Sequence, residues 1–389
     1  MAFTILLFLL GTTAFLKSTE FTPLSFWQEE KVSIVEAGNE DSTDATDSNS
    51  ILEEETIKSA YADYETIDRI LSDTDFLEQT NLWDGKILLV RDMSNPSEQI
   101  LQYYHYSSQY EDTNDNNIQD SLDKGFFNPA STVKVSLVGL VLEKLNEIDV
   151  SRDAEYRIKG TQDWYSFEDD IRRALVISDN NATNRLILWL GFDHIGNSLR
   201  NKGLSNLIVN RLMLDRGTLV PSPAFEIRLK TEVIQQSRQT VEVAPKCYEI
   251  DSKIGNCATA TDLVEGLIRI IQPEYYDVAE NFKLRKTDRV WMQNVMSHTP
   301  REEGFNYENN YCRFLTRLEK KFASKSGKML SKCGISLFTN TYTDLSYLET
   351  DMGNQYYILL SVSPPRSVSE ETVLLWMNQV AEAILVNLS

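Results

Sequence analysis

The chain is short of the residues that metal chemistry and histidine-based catalysis need. Only three histidines, His105, His194 and His298, occur among 389 residues. All four cysteines lie late, at Cys247, Cys257, Cys312 and Cys333, and their spacing is not that of a zinc site. A metal-dependent hydrolase is therefore disfavoured. Positive charge is also scarce: 38 Lys and Arg stand against 58 Asp and Glu, a net charge of −20. Nucleic-acid binding needs a basic face, so that partner class is excluded. Long apolar runs are missing as well. Phe3 to Leu10 is too short to span a bilayer. With Gly11-Thr12-Thr13-Ala14 behind it, this run reads as an export signal cut after Ala14, although no Lys or Arg precedes it. The alternative is an uncleaved anchor, which would be the chain's one contact with a membrane. No cysteine near the run offers a site for bacterial lipid modification.

These features set the expected organisation: a signal peptide or anchor over 1–20, an acidic linker over 21–50, and a domain over 51–389. The protein is expected to be exported, periplasmic or secreted. An even cysteine count then permits two disulfides. Pairing Cys247 with Cys257 and Cys312 with Cys333 is one of three connectivities.

What is present is a 42% apolar fraction, enough for a real core. Apolar residues from Ile57 to Leu71 recur at helical spacing, so the spacing predicts a helix from Ile51 to about Asp73. Gly85–Met93 and Gln99–Ser108 read as a strand hairpin. The middle, from 131 to about 320, reads as a mainly helical subdomain. It includes a buried helix from Ser131 to Ile148, a helix opened by Ser166 and Asp169, one from Asn181 to Leu190 stopped by Gly191, and one over Thr259–Ile271. Strands return at Lys321–Leu330, Gly334–Tyr342 and Gln355–Val362, and a helix from Ser369 to about Leu388 closes the chain. Strands at both ends around a helical middle imply an α+β fold. A five-stranded antiparallel sheet would gather them, with the terminal helices on one face.

The chemistry is concentrated at Ser131-Thr132-Val133-Lys134. Positions i and i+3 share a helix face, so Lys134 can reach the Ser131 hydroxyl. A serine needs a base to attack at neutral pH. A lysine serves only if burial or a second cation destabilises its ammonium, and Lys134 lies inside an apolar run. Ser131 would sit at a helix N-terminus, where its N–H could supply half of an oxyanion hole. Ser178-Asp179-Asn180 falls at a break between helices, which is also plain turn composition. As a site it gives Ser178 a proton-relay role and Asn180 substrate contacts, with Asp179 holding the turn. Lys325-Ser326-Gly327 is expected on a strand, where the glycine admits a substrate backbone and Lys325 binds a carboxylate.

This ordered set resembles the serine β-lactamase and penicillin-binding-protein superfamily, nearest its class A branch, which uses Ser-x-x-Lys, Ser-Asp-Asn and Lys-Thr/Ser-Gly. The flanking Phe127-Asn128-Pro129-Ala130, Asn181-Ala182-Thr183-Asn184 and Ala258-Thr259-Ala260-Thr261-Asp262-Leu263 are similar too, and the likeness covers roughly 55–389. The resemblance implies that Ser131 is acylated with Lys134 as base or relay, and that Ser178 passes a proton to the leaving nitrogen. Lys325 and Ser326 would hold a carboxylate, and the Lys328 N–H would complete the oxyanion hole. No cofactor is implied. The substrate would be a small β-lactam or a peptidoglycan-like peptide. Class A enzymes also carry a glutamate that activates the deacylating water. If Leu214-Asp215-Arg216 anchors the alignment, Thr218 stands in its place, and Glu226 is the nearest acid downstream. Acylation is then expected to outrun clearance. The rival readings are a peptidase on stem peptides and a non-enzymatic sensor or binding domain.

A second pattern stands apart. Asp112, Asn114, Asn116, Asp120 and Asp123 have the oxygen-ligand spacing of a calcium loop. The composition is equally that of an acidic surface loop, the reading it favours.

Overall fold

Strands from both ends of the chain meet in one sheet, whose central strands are buried on both faces. The computed structural model describes residues 58–63, 65–73, 83–95, 98–108, 125–214, 220–239, 241, 247 and 255–388. The expected signal segment and linker, the 112–123 loop and Thr218 lie outside these residues. The strands are β1 (Lys58–Asp63), β2 (Asp84–Asp92), β3 (Ile100–Ser107), β10 (Lys328–Ser336), β11 (Thr341–Glu349) and β12 (Gln355–Ser363), in spatial order β1-β3-β2-β12-β11-β10. The five from β3 to β10 are antiparallel throughout, as the α+β reading expects. β1 adds a sixth, parallel to β3.

That sixth strand corrects the helix expected over 51–73. Among the described residues of that span, Lys58–Asp63 is strand and Glu65–Asp73 is helical (α1). Local periodicity cannot reveal a partner about forty residues away, and pairing with β3 decides the conformation of 58–63.

Alternation along the strands divides the core in two. Ile87 and Leu89 of β2 face one cluster, with Ile67, Leu71, Trp376, Val380 and Ile384 from α1 and the closing helix α9 (Glu370–Leu388). Leu88 and Val90 face the other, with the helical region. Being covered on both faces makes β2 a continuous apolar run, Ile87 to Val90. No helix among the described residues is long and apolar enough to cross a membrane.

The central helix α2 (Lys134–Glu147) follows a 3₁₀ turn over Ala130–Val133. It is buried on almost every side, Lys134 included, as the unbroken apolar run predicts. Around it lie α3 (Phe167–Val176), α4 (Asn180–Leu190), α5 (Phe192–Asn201), α6 (Ala260–Ile271) and α7 (Lys286–Ser297), with α8 (Thr316–Phe322) leading back to β10. Ser166 caps α3 by accepting from the Asp169 N–H. Gly191, at φ 82°, ends α4, and Thr259 caps α6.

The middle is less helical than its composition suggests. It holds a four-stranded sheet in order β5-β4-β7-β8, from Tyr165–Ser166, Glu155–Ile158, Phe225–Arg228 and Val233–Gln236. A short pair, β6 (Ile208–Val209) and β9 (Asn256–Cys257), accompanies it. These strands have two to four residues, too few for alternation to show in sequence. Two disulfides, Cys247–Cys257 and Cys312–Cys333, select the sequence-local connectivity.

Candidate active site

Pro129 and a strained residue set the entry to α2. Ala130 has φ +47°, unusual for a residue with a Cβ. Asn128 holds it there. Its Oδ1 accepts the Ala130 N–H at 2.9 Å, and its Nδ2 donates to Ser336 Oγ at 3.0 Å. The turn carrying Ser131 is thereby tied to the end of β10. Ser131 is half-buried and Lys134 is 0% exposed.

Lys134 Nζ donates to Ser178 O at 2.7 Å, Asn180 Oδ1 at 2.8 Å and Ser178 Oγ at 3.2 Å. The structure thus brings Lys134, Ser178 and Asn180 together. Ser178, at φ +56°, is a second strained residue. Asp179 supports it, its Oδ1 accepting the N–H groups of Asn181 (2.8 Å) and Ala182 (3.0 Å). Asp179 therefore holds the turn as the N-cap of α4. Asp179→Ala is expected to lower stability by about 0.5–2 kcal/mol, the usual worth of such a cap, read from the denaturant midpoint.

Burial first, then the charge of Lys332, keeps the Lys134 amine well below the ordinary lysine range, against the pull of Asp179. Lys332 is likewise 0% exposed. Its Nζ donates to Ser178 Oγ at 3.0 Å, Cys333 O at 2.8 Å and Cys312 Sγ at 3.3 Å. Burial brings it down to about 7, with Asp344 pulling the other way. Asp344 is itself pushed up to about 6 by burial, while Ser346, the Phe314 N–H and Ser331 oppose the shift. Two amines that are costly to charge therefore share one serine hydroxyl.

The third motif lies elsewhere than the sequence reading put it. Lys325, Ser326 and Gly327 are not on a strand. Their N–H groups donate to Asp351 Oδ1 at 2.9, 2.8 and 3.0 Å, which holds that carboxyl down to about 2. They form the turn from α8 into β10. A Cβ on Gly327 would meet Glu349 O at 2.4 Å, so its glycine serves the turn. Lys328 opens β10 opposite Glu349. Lys332 lies four residues on, about 13 Å at ~3.3 Å per residue. Lys325, Ser326, Gly327 and Lys328 are accordingly removed from the site.

Lys332-Cys333-Gly334 takes their place. A Cβ on Gly334 would sit 2.6 Å from Ser131 N and 2.9 Å from Ala130 Cβ, so β10 passes directly against the turn that carries Ser131. Sequence reading missed it because Cys333 replaces Thr or Ser, while Lys325-Ser326-Gly327 fits the pattern by chance. The signal was a lysine inside Met329-Leu330-Ser331-Lys332-Cys333-Gly334-Ile335, the same oddity that marked Lys134.

Glu226 is also displaced from any catalytic part. It sits on β7, paired with Arg157 at 2.7 Å. The segment before Thr218 is gripped by Asn184, whose Oδ1 accepts the Met213 N–H and whose Nδ2 donates to Met213 O at 3.2 Å. Among the described residues, no group of three or more His, Cys, Asp or Glu could hold a metal.

The model of the beta-lactamase enzyme family matches residues 95–388. The structure of PBP-A is similar at 14% identity and a TM-score of 0.54, covering 85% of this chain and 99% of that one. The chromosome-encoded β-lactamase of Vibrio parahaemolyticus is similar at 14% identity and 0.54, covering 82% and 99%. The TLA-3 extended-spectrum β-lactamase is similar at 13% identity and 0.54, covering 83% and 99%. At these identities the solved structures show the fold. No curated protein matches the chain.

Proposed function

Because the chain belongs to the beta-lactamase enzyme family, we propose that it is a serine hydrolase that forms an acyl-enzyme at Ser131 and clears it slowly. The observation that carries the reading is Lys134, wholly enclosed and bonded to Ser178 and Asn180 one helical turn from Ser131. With its amine neutral, Lys134 takes the Ser131 proton as Oγ attacks the acyl carbon. Ser178, whose hydroxyl lies between the two lysines, passes a proton to the leaving group. The N–H groups of Ser131 and of Ile335, the residue after Gly334, face the developing oxyanion. Asn180 offers its amide N–H₂ to the substrate.

Slow clearance is supported by the surroundings. Among the described residues, no carboxylate is hydrogen-bonded to Lys134, Ser178, Asn180 or Lys332. Among these residues none is placed as a base for a water there, and losing a general base costs a factor of about 10²–10⁴. A mutant of the structurally similar PBP-A has been captured as its acyl-enzyme with penicillin G, which makes β-lactams the natural first probe. Two disulfides support export to an oxidising compartment.

Intact mass after incubation with penicillin G tests the proposal. An adduct mapping to Ser131 and lasting through many minutes of dilution is expected. An unmodified chain with intact drug would overturn the acyl-enzyme, and an unmodified chain with hydrolysed drug would overturn slow clearance. The same missing base favours a second reading, a peptidase on stem peptides, which release of D-alanine from an acyl-D-Ala-D-Ala peptide would detect.

A further inference from the structure

The Cys312–Cys333 disulfide touches the amines that meet at Ser178. Lys332 Nζ has three acceptors. Two of them, Cys312 Sγ at 3.3 Å and Cys333 O at 2.8 Å, belong to the cross-linked pair. The third is Ser178 Oγ at 3.0 Å, which Lys134 Nζ reaches at 3.2 Å. Contacts thus run without a gap from Cys312 through Lys332 and Ser178 to Lys134. The two half-cystines differ in access. Cys312 is half-buried, with φ +56°, while Cys333 is 4% exposed. In the other disulfide, Cys247 and Cys257 are 7% and 0% exposed. A small thiol therefore meets Cys312 before the other three.

Opening this bond changes the charge beside Lys332. While cross-linked, Cys312 Sγ is a weak neutral acceptor that does not titrate. As a free thiol its ordinary pKa is about 8.5, and a neighbouring ammonium stabilises the thiolate. Several charged groups surround the position. Lys134 comes from α2, Asp179 caps α4, and Asp344 stands on β11. Arg313, beside Cys312, is bound to Glu319 and to the carbonyls of Ser297 and His298. Among the described residues, Lys332 is the charged group bonded to the sulfur. Its charge also helps to keep Lys134 neutral. A thiolate that offsets this charge would let Lys134 hold its proton to higher pH.

We propose that Cys312 is a thiol-exchange site coupled to Ser131: a small thiol opens Cys312–Cys333, the freed Cys312 thiolate pairs with Lys332, and acylation slows. The effect on rate rests on the acyl-enzyme reading; the exchange itself does not. A thiolate attacks Cys312 Sγ, the S–S bond breaks, and its electron pair leaves on Cys333 Sγ. A second thiolate attacks the small-thiol sulfur of the mixed disulfide. A small disulfide departs and Cys312 is left as thiolate. Buried Cys333 takes a proton from water, because apolar surroundings raise a thiol's pKa. Cys312 keeps its charge against the Lys332 ammonium. It acts through Lys332 and Lys134, as a positioning residue.

Two measurements test this, one of them independent of acylation. The full wild-type chain is treated with dithiothreitol without denaturant and desalted. Iodoacetamide labelling with peptide mass mapping is expected to find Cys312 modified first, and Cys247 and Cys257 last. The Cys312 labelling rate, followed against pH, should have its midpoint at least about one unit below 8.5. Lys332→Met should return it to that value, and the wild-type profile stands alone if this variant does not fold. Acylation by a fluorescent penicillin should slow about three- to tenfold near neutral pH, its pH midpoint rising by up to about one unit. Reoxidation should restore both. Cys312→Ser with Cys333→Ser removes the cross-link and leaves no titrating group at 312. Its midpoint should match the oxidised chain even if its melting temperature falls. Earlier labelling of Cys247 or Cys257, an ordinary thiol at Cys312, acylation indifferent to reduction, or a serine variant shifted as far as the reduced chain would each overturn the proposal. A depressed Cys312 thiol with no penicillin adduct in either state would end the acyl-enzyme reading and leave the exchange site standing.

Discussion

Replacing Lys134 by methionine is expected to slow acylation of Ser131 by a factor of about 10²–10⁴, the usual cost of losing a general base. Methionine keeps the length of the side chain and removes the amine. The change takes an enclosed, costly-to-charge amine out of the core, which by itself is neutral or stabilising. It also strips Ser178 O and Asn180 Oδ1 of a donor, at roughly 1–3 kcal/mol for a buried group left unsatisfied. The two effects oppose each other, so a fall in rate should far exceed any change in folding. A burst assay with a fluorescent penicillin gives the rate, and a thermal melt on the same sample gives the stability. Acylation at the wild-type rate would remove Lys134 from the mechanism.

The pH dependence follows from the same enclosure. The attacking form needs a neutral Lys134, and burial with the Lys332 charge lowers its pKa. Acylation should therefore rise with pH and level off below the ordinary lysine range. Stability moves the same way for Lys332. Its pKa is about 7 when folded and about 10.4 when unfolded, so between these values the unfolded chain binds more protons. Stability then increases as pH rises through that window. Asp344 acts oppositely at lower pH. Its folded pKa of about 6 lies above an unfolded value of about 3.9, so its contribution falls as pH rises from about 4 to 6. Urea midpoints at pH 4, 6, 7 and 9.5 would trace both limbs, and a rise between the first two would contradict the Asp344 assignment.

Local chemistry was legible in the sequence where one segment decided the structure. The α2 run, the Ser166 and Thr259 caps and the Gly191 stop depend on neighbours a few residues away. Ser131 with Lys134, and the Ser178–Asn180 turn, are local in the same sense. What failed was long-range. β1 is a strand because β3 pairs with it, and Gly334 is a strand interior because β11 lies on one side and the nucleophile turn on the other. Reading Gly334 as the start of a new strand broke β10 at the point where it carries Lys332. Lys325-Ser326-Gly327, which has the lysine, hydroxyl and glycine in order, is instead a turn clamped by Asp351. The disulfide explains why Lys332-Cys333-Gly334 does not show the motif in sequence. Cys333 looks like a structural residue, which it is, and that appearance masks Lys332 beside it.

Gly334→Ala is expected to reduce acylation about 10²-fold or more, because a single methyl group must displace Ser131 itself. The added Cβ would meet Ser131 N at 2.6 Å, Ala130 Cβ at 2.9 Å and Pro129 O at 3.1 Å. Two of these are backbone atoms, so no side-chain rotation relieves the contact. The turn has little slack, since Ala130 is already at φ +47° and Asn128 fixes it through Ser336. Overpacking of this kind costs about 1–3 kcal/mol, and a shift of about 1 Å at a reacting group costs about 10² in rate. Gly327→Ala is the informative contrast. Its Cβ would collide with Glu349 O at 2.4 Å, but in the turn before β10, away from Ser131. It should lower the melting temperature and leave acylation of the folded fraction close to normal. Equal rates for Gly334→Ala and wild type would mean that β10 does not press on the nucleophile turn, and that its N–H groups lie too far away to serve an oxyanion at Ser131.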